Sequence, residues 1–325
     1  MYQLLVAPIG LSIAMLAIAA HATETTLVVA SDGSGQYTKV QDAVMAIPDG
    51  RRDSPVVIHV KPGTYKELVY VQREKRFFRL VGDDAKSTVL TYDLNAKILD
   101  KDGKPIGTFR TPSTLIDADD FTAENITFEN SAGPVGQALA IRVDGDCAVF
   151  RNCRFLGWQD TMLLNRGRQY FDHCYIEGHV DFIFGGATAY FDHCHIQCLK
   201  NGYITAASTP DSEPYGFVFS NCKITAASPD VRTYLGRPWR AFAAVTFLNT
   251  EMSDCVWPAG WHNWDHPERE QTARYAEYHS TGPGANPAER VKWARELSEE
   301  QARAITAPKV LAGHDDWNPK APGKR

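Results

Sequence analysis

The chain has 325 residues, 44% of them hydrophobic and 22% charged, with a formal net charge of -5 and a sequence pI near 6.1. That length and apolar content can bury an ordinary core, in one large domain or two. No long run of Lys and Arg is present, so the electrostatic footprint of a nucleic-acid binder is missing and no nucleic-acid partner is expected.

The first 22 residues, MYQLLVAPIGLSIAMLAIAAHA, carry no charged side chain and end in Ala20-His21-Ala22, a small-x-small pattern suited to signal-peptidase cleavage before Thr23. Residues 1–22 are read as a signal peptide and 23–325 as the mature domain, secreted to the extracellular space or the periplasm. The missing Lys or Arg near the start leaves an uncleaved anchor as the alternative. Beyond residue 22 no apolar run reaches the roughly 20 residues that span a bilayer, so no stable membrane association is expected once the signal is removed.

From Tyr37 to Gly50, YTKVQDAVMAIPDG puts Val40, Ala43, Val44 and Ile47 at helical spacing. Thr38 is the expected N-cap and Pro48 the stop. Six segments then share one pattern: FTAENITF, VFRNCRF, YFDHCYI, YFDHCHI, VFSNCKI and TFLNTEM. With Ile126, Cys153, Cys174, Cys194, Cys222 and Thr250 equivalent, the spacing is the signature of a solenoid. Each copy alternates apolar and polar residues with β-branched and aromatic enrichment, which predicts short strands and hence an all-β, single-stranded parallel β-helix. Coils about 4.8 Å apart would stack equivalent side chains into ladders.

The twice-repeated FDHC admits a metal cage, a thiol site or a structural repeat. His173, Cys174, His193, Cys194, His195 and Cys198 are suitable zinc ligands, but neighbours in a strand point to opposite faces and do not converge. The ladder reading is therefore preferred, and no metal is assigned. Seven cysteines leave at least one unpaired in a monomer. Because Cα atoms on adjacent coils fall within disulfide range, Cys174 to Cys194 is the expected bridge in an oxidising compartment.

Towards the C-terminus, Ser298 and Gln301 form a capping-box pattern opening the helix SEEQARAIT, which Pro308 should terminate. The helix at Tyr37–Gly50 should cap the N-terminal end of the tube. The repeat-poor region from about Trp261 to Arg325 should pack as a tail over the coils.

Asp181 lies among apolar neighbours in GHVDFIFGGA, where an unpaired carboxylate is costly. Asp160, in GWQDTM, precedes it by one repeat step. Two carboxylates on nearby coils should couple, one ionised and one protonated, the minimum for a nucleophile with a general acid and base. An exterior Asp ladder is the alternative. In YLGRPWR, Arg237 offers a permanently charged fork for a carboxylate and Trp239 a flat face for a sugar ring. Gln137 and Gln159 are neutral amide donors able to hold an oxyanion.

In this order GQALA, GWQDTM, GHVDFIFGGA and YLGRPWR resemble the four signature segments of the pectin methylesterases, carbohydrate esterases with a right-handed parallel β-helix. The resemblance covers nearly all of the mature chain and implies a stand-alone, bacterial-type catalytic domain acting as a monomer on pectin, a methylated homogalacturonan, with no cofactor. It implies that Asp181 attacks the C6 methyl ester of a galacturonosyl unit and that Asp160 protonates methanol and then activates water. Gln137 and Gln159 would hold the oxyanion and Arg237 would orient Asp181, keeping it ionised. Val180, Phe184 and Trp239 match positions lining the substrate groove. Trp158 and Met162 stand where the family usually has Tyr and Leu. An acyl-CoA thioesterase of the same family, a β-helix pectin lyase or hydrolase, and a non-catalytic pectin-binding solenoid are the competing readings.

Overall fold

In the computed structural model, residues 25–48, 52 and 55–320 are described, so the expected signal peptide at 1–22 lies outside the described residues. Every named strand pairing is parallel, and the chain winds as a β-helix. One wall is an 11-stranded sheet running from Thr25–Val29 to Arg295–Glu296. The other is a 13-stranded sheet that turns a corner within the strands Tyr175–Gly185 and His195–Ala207. Inward positions are taken by Val, Ile, Leu and Phe, which suit a half-buried pleated surface.

The repeat register is as the sequence predicts. Phe128, Phe155, Ile176, Ile196, Ile224 and Met252 pair in succession on one wall. On the other, Phe150, Phe171, Phe191, Phe219 and Phe247 form a stack with centroid steps of 4.9, 4.6, 4.4 and 4.5 Å. Between the walls, Asn125, Asn152, His173, His193, Asn221 and Asn249 all adopt left-handed φ, from 48 to 56°. Asn and His tolerate that region better than most side chains. The repeated word FDHC is thus a corner: Phe and Cys point into the tube, and His makes the turn.

The Cys174 to Cys194 bridge is not formed; all seven cysteines are free and buried. In-register neighbours on parallel strands hold their Cβ atoms near the strand spacing of about 4.8 Å, beyond the 3.5–4.5 Å or so that a disulfide takes. Each thiol instead contacts a carbonyl of the neighbouring coil, Cys174 Sγ to Phe150 O at 3.5 Å and Cys194 Sγ to Phe171 O at 3.6 Å. His173 and His193 stack outside the tube, 5.1 Å between centroids, so they do not join the thiols in a cage.

The ends depart from expectation in detail. Helix α1 spans Val40–Ala46 and buries Val40, Ala43 and Val44 over the N-terminal opening, but its N-cap is Lys39, not Thr38. Glu67 supplies the cap from the wall, accepting from Val40 N at 2.9 Å and Gln41 N at 3.0 Å. The segment after Trp261 first extends the solenoid, adding strands Arg274–Tyr278 and Arg295–Glu296, and only then leaves it. The capping box is present: Ser298 Oγ accepts from Gln301 N at 3.2 Å, and Gln301 Oε1 from Ser298 N at 2.9 Å. Helix α2 covers only Glu299–Arg303, and Pro308 lies in the first turn of α3, Ala307–Val310, where its missing N–H costs nothing. These helices pack on Val149, Tyr170, Tyr190, Val218 and Leu248, outward residues of the first wall.

Candidate active site

The corner within the strand Tyr175–Gly185 is where its pairing register slips, between Gly178 and Val180 and again between Val180 and Ile183. Gly178 is needed there, since a Cβ would lie 2.3 Å from Cβ of Phe182. Asp181 takes the turn at φ 52°, and Asp160, its equivalent one coil earlier, at φ 61°. Asp160 N donates to Val180 O at 3.0 Å, and Ala138 N to Gln159 O at 3.1 Å, so Gln137, Gln159 and the two aspartates climb three successive coils. Ile183 and Phe182 hold the corner from inside the core.

Both carboxylates are largely withdrawn from solvent, Asp160 at 9% and Asp181 at 6% residual exposure. Arg237, two coils further on, meets Asp181 with both arms of its fork, Nε to Oδ1 at 2.9 Å and Nη2 to Oδ2 at 2.7 Å. Burial pushes the Asp181 carboxyl above its ordinary value, while the Arg237 hydrogen bonds and charge pull it back. Arg237 stabilises the anion, as the resemblance implies, but desolvation outweighs the ion pair and the net shift is upward. Asp160 has no guanidinium of its own and is pushed up to about 8, by burial first and then by the Asp181 charge. The environment therefore separates the pair into one carboxylate whose anion a guanidinium stabilises and one that keeps its proton near neutrality.

Gln137 and Gln159 are half-buried beside the pair, and among the described residues neither side-chain amide is engaged by another protein group. Next to them lies an apolar patch on the outer face: Leu139, Leu163, Phe184 and Ala206, with Trp239 and Trp264 packed against them. Trp239 meets Phe184 edge to face at 5.7 Å and stacks on Phe109 at 6.4 Å. Val180, half-buried, borders Tyr203 by strand pairing. Every residue expected at the site is brought to this corner.

Three neighbours were not anticipated. Arg237 Cζ lies 3.8 Å from the Tyr203 ring centre and 3.6 Å from that of Trp264. Phe109 projects from a 3-10 turn, Thr108–Arg110, in the long excursion before Thr114–Ile116. Tyr203 carried one signal, an aromatic residue in a strand position facing outward; Trp264 and Phe109 lie in loops that the repeat does not predict. Among the described residues the one trio of potential metal ligands is Asp146, Cys147 and Asp315, away from this corner, with Arg168 bonded to both carboxylates.

Fold and site together define a parallel β-helix that presents a carboxylate pair at one corner. The pectinesterase family profile matches residues 26–314, and the chain belongs to that family of carboxylic ester hydrolases. It is 47% identical over 287 residues to Pectinesterase 31 of Arabidopsis thaliana, covering 86% of this chain and 90% of the relative. Among solved structures it is similar to a pectin methylesterase from carrot, with a TM-score of 0.82 at 34% identity over 88% of this chain and 92% of that one. It also matches a mutant pectin methylesterase in complex with a hexasaccharide, with a TM-score of 0.80 at 31% identity over 93% and 100% of the two chains.

Proposed function

We propose that this chain hydrolyses the C6 methyl esters of galacturonosyl units in pectin, releasing methanol and leaving carboxylates on the polymer. The observation that carries the reading is the two-armed Arg237–Asp181 pair beside an Asp160 that holds its proton to about pH 8. An Asp181 oxygen attacks the ester carbonyl carbon, and the oxyanion that forms lies against the free amides of Gln137 and Gln159. The bond to the methoxy oxygen breaks as Asp160 gives its proton to departing methanol, leaving an acyl group on Asp181. Asp160, now a carboxylate, takes a proton from water that attacks the acyl carbon, and Asp181 departs as a carboxylate.

The apolar patch that contains Phe184 and Trp239, together with Val180 on the same strand as Phe184, suits a sugar face and an uncharged methyl ester. The mature domain at 23–325 acts outside the cytoplasm as a monomer, with residues 1–22 as its export signal. Among the described residues no helix is long and apolar enough to cross a membrane.

The test is methanol release from methylated pectin with polymer viscosity followed in parallel and an acyl-CoA substrate as control. Methanol without loss of viscosity is expected. Chain scission, thioester cleavage alone or no turnover would each replace this reading.

A further inference from the structure

The Arg237 fork can bind both oxygens of Asp181 only if guanidinium and carboxylate lie nearly in one plane. A long arginine side chain does not hold such a plane unaided, and the ion pair itself fixes only one edge of the group. Two aromatic rings close on Arg237 Cζ, Tyr203 at 3.8 Å and Trp264 at 3.6 Å. At that separation two rings cannot share one face of the guanidinium, so they cover opposite faces.

The two rings come from unrelated parts of the chain. Tyr203 belongs to the strand His195–Ala207, one coil beyond Asp181. Trp264 comes from the loop after Trp261 and is held at φ 61°, a backbone region that bulky residues seldom adopt. That conformation is secured locally: Trp264 N donates to His262 Nδ1 at 2.9 Å. The His262 ring packs in turn on Tyr203 at 5.6 Å and Tyr234 at 5.3 Å.

We infer that Tyr203 and Trp264 are positioning residues that clamp the Arg237 guanidinium in the plane of the Asp181 carboxylate, acting on the reaction through Arg237. This rests on the reading of Asp181 as nucleophile, but it makes a claim about the resting protein that needs no substrate. Removing one ring lets the fork rotate, the pairing loosens, and Asp181 binds its proton more tightly.

The experiment titrates the Asp181 carboxyl by carbon-13 NMR in the full chain carrying Asp160→Asn, with His179 and Asp265, titratable groups that face Asp181 and Tyr203, followed in the same titration. Trp264→Leu is expected to raise the proton affinity of Asp181 about tenfold, the scale of a lost cation–aromatic contact in a desolvated site. Trp264→Phe, which keeps a π face, is expected to restore most of that change. Tyr203→Leu repeats the loss from the other side and serves if the Trp264 variant does not fold. A titration unmoved in both Leu variants, or an equal shift in Trp264→Phe and Trp264→Leu, overturns the clamp. Methanol release by the unmutated protein is measured separately: its absence would overturn the proposed function, while the titration still decides the clamp.

Discussion

Asp160 and Asp181 occupy the same left-handed position on successive coils, and the backbone N–H of Asp160 is bonded at 3.0 Å to the residue just before Asp181. Their separation is therefore set by the β-ladder itself, not by a loop. What differs is the company each keeps: Asp181 has Arg237, and Asp160 has only the Asp181 charge facing it and a more distant guanidinium.

That asymmetry fixes a pH dependence. With Asp160 titrating at about 8, kcat/KM for ester hydrolysis should fall above that pH as the general acid loses its proton. Asp160→Asn should lower kcat by about 10²- to 10⁴-fold. A rate that keeps rising well past pH 8 would remove Asp160 from the acid role.

The same group costs stability in a defined window. Its folded pKa of about 8 lies above the unfolded value near 3.9, so between those limits the native state binds more protons than the unfolded chain. Stability should therefore fall as pH rises from about 4 to 8. Denaturant melts of Asp160→Asn against the parent should nearly coincide at pH 4 and favour the variant by about 5 kcal/mol at pH 8. A constant gap across that range would refute the raised pKa.

Arg237→Lys keeps the charge and loses the fork. We expect kcat to drop about 100-fold and the acid limb of kcat/KM to move to higher pH, because a single ammonium does not replace two aligned N–H donors. A lysine variant with native rate and limb would show that charge alone suffices.

Gln137→Leu and Gln159→Leu each remove an unengaged amide at the corner. Loss of one oxyanion donor should cost about 10²- to 10³-fold in kcat with KM nearly unchanged. A change confined to KM would assign these amides to substrate binding.

Thiol counting tests the core. Denatured protein never exposed to reductant should titrate seven thiols, the number of cysteines in the sequence. Five would restore a bridge, and mapping it would show whether Cys174 and Cys194 are the pair.

Much of this was legible because a solenoid writes its geometry as a period. The spacing of Cys153, Cys174, Cys194 and Cys222 gave the ladder, and the single repeat step from Asp160 to Asp181 placed both on one corner. Features fixed by non-repeating contacts were not legible. Glu67 caps α1 from a distant wall, and nothing near Thr38 signals that it will be displaced. Trp264 reaches Arg237 from a loop whose path depends on the last coils. The Cys174–Cys194 expectation fails for a different reason: Cα proximity is not sufficient, and the direction of the two side chains decides the matter. The upward shift of Asp181 is not legible in the sequence either, because a guanidinium is visible there and the depth of burial is not.

Arg237 follows Asp181 by 56 residues, so the partner of the buried acid is supplied by a later coil. Without that later coil Asp181 would be buried with no counter-ion, which favours its neutral form. A chain truncated before residue 237 should therefore carry both acids yet remain inert, because it lacks the guanidinium that pairs with Asp181.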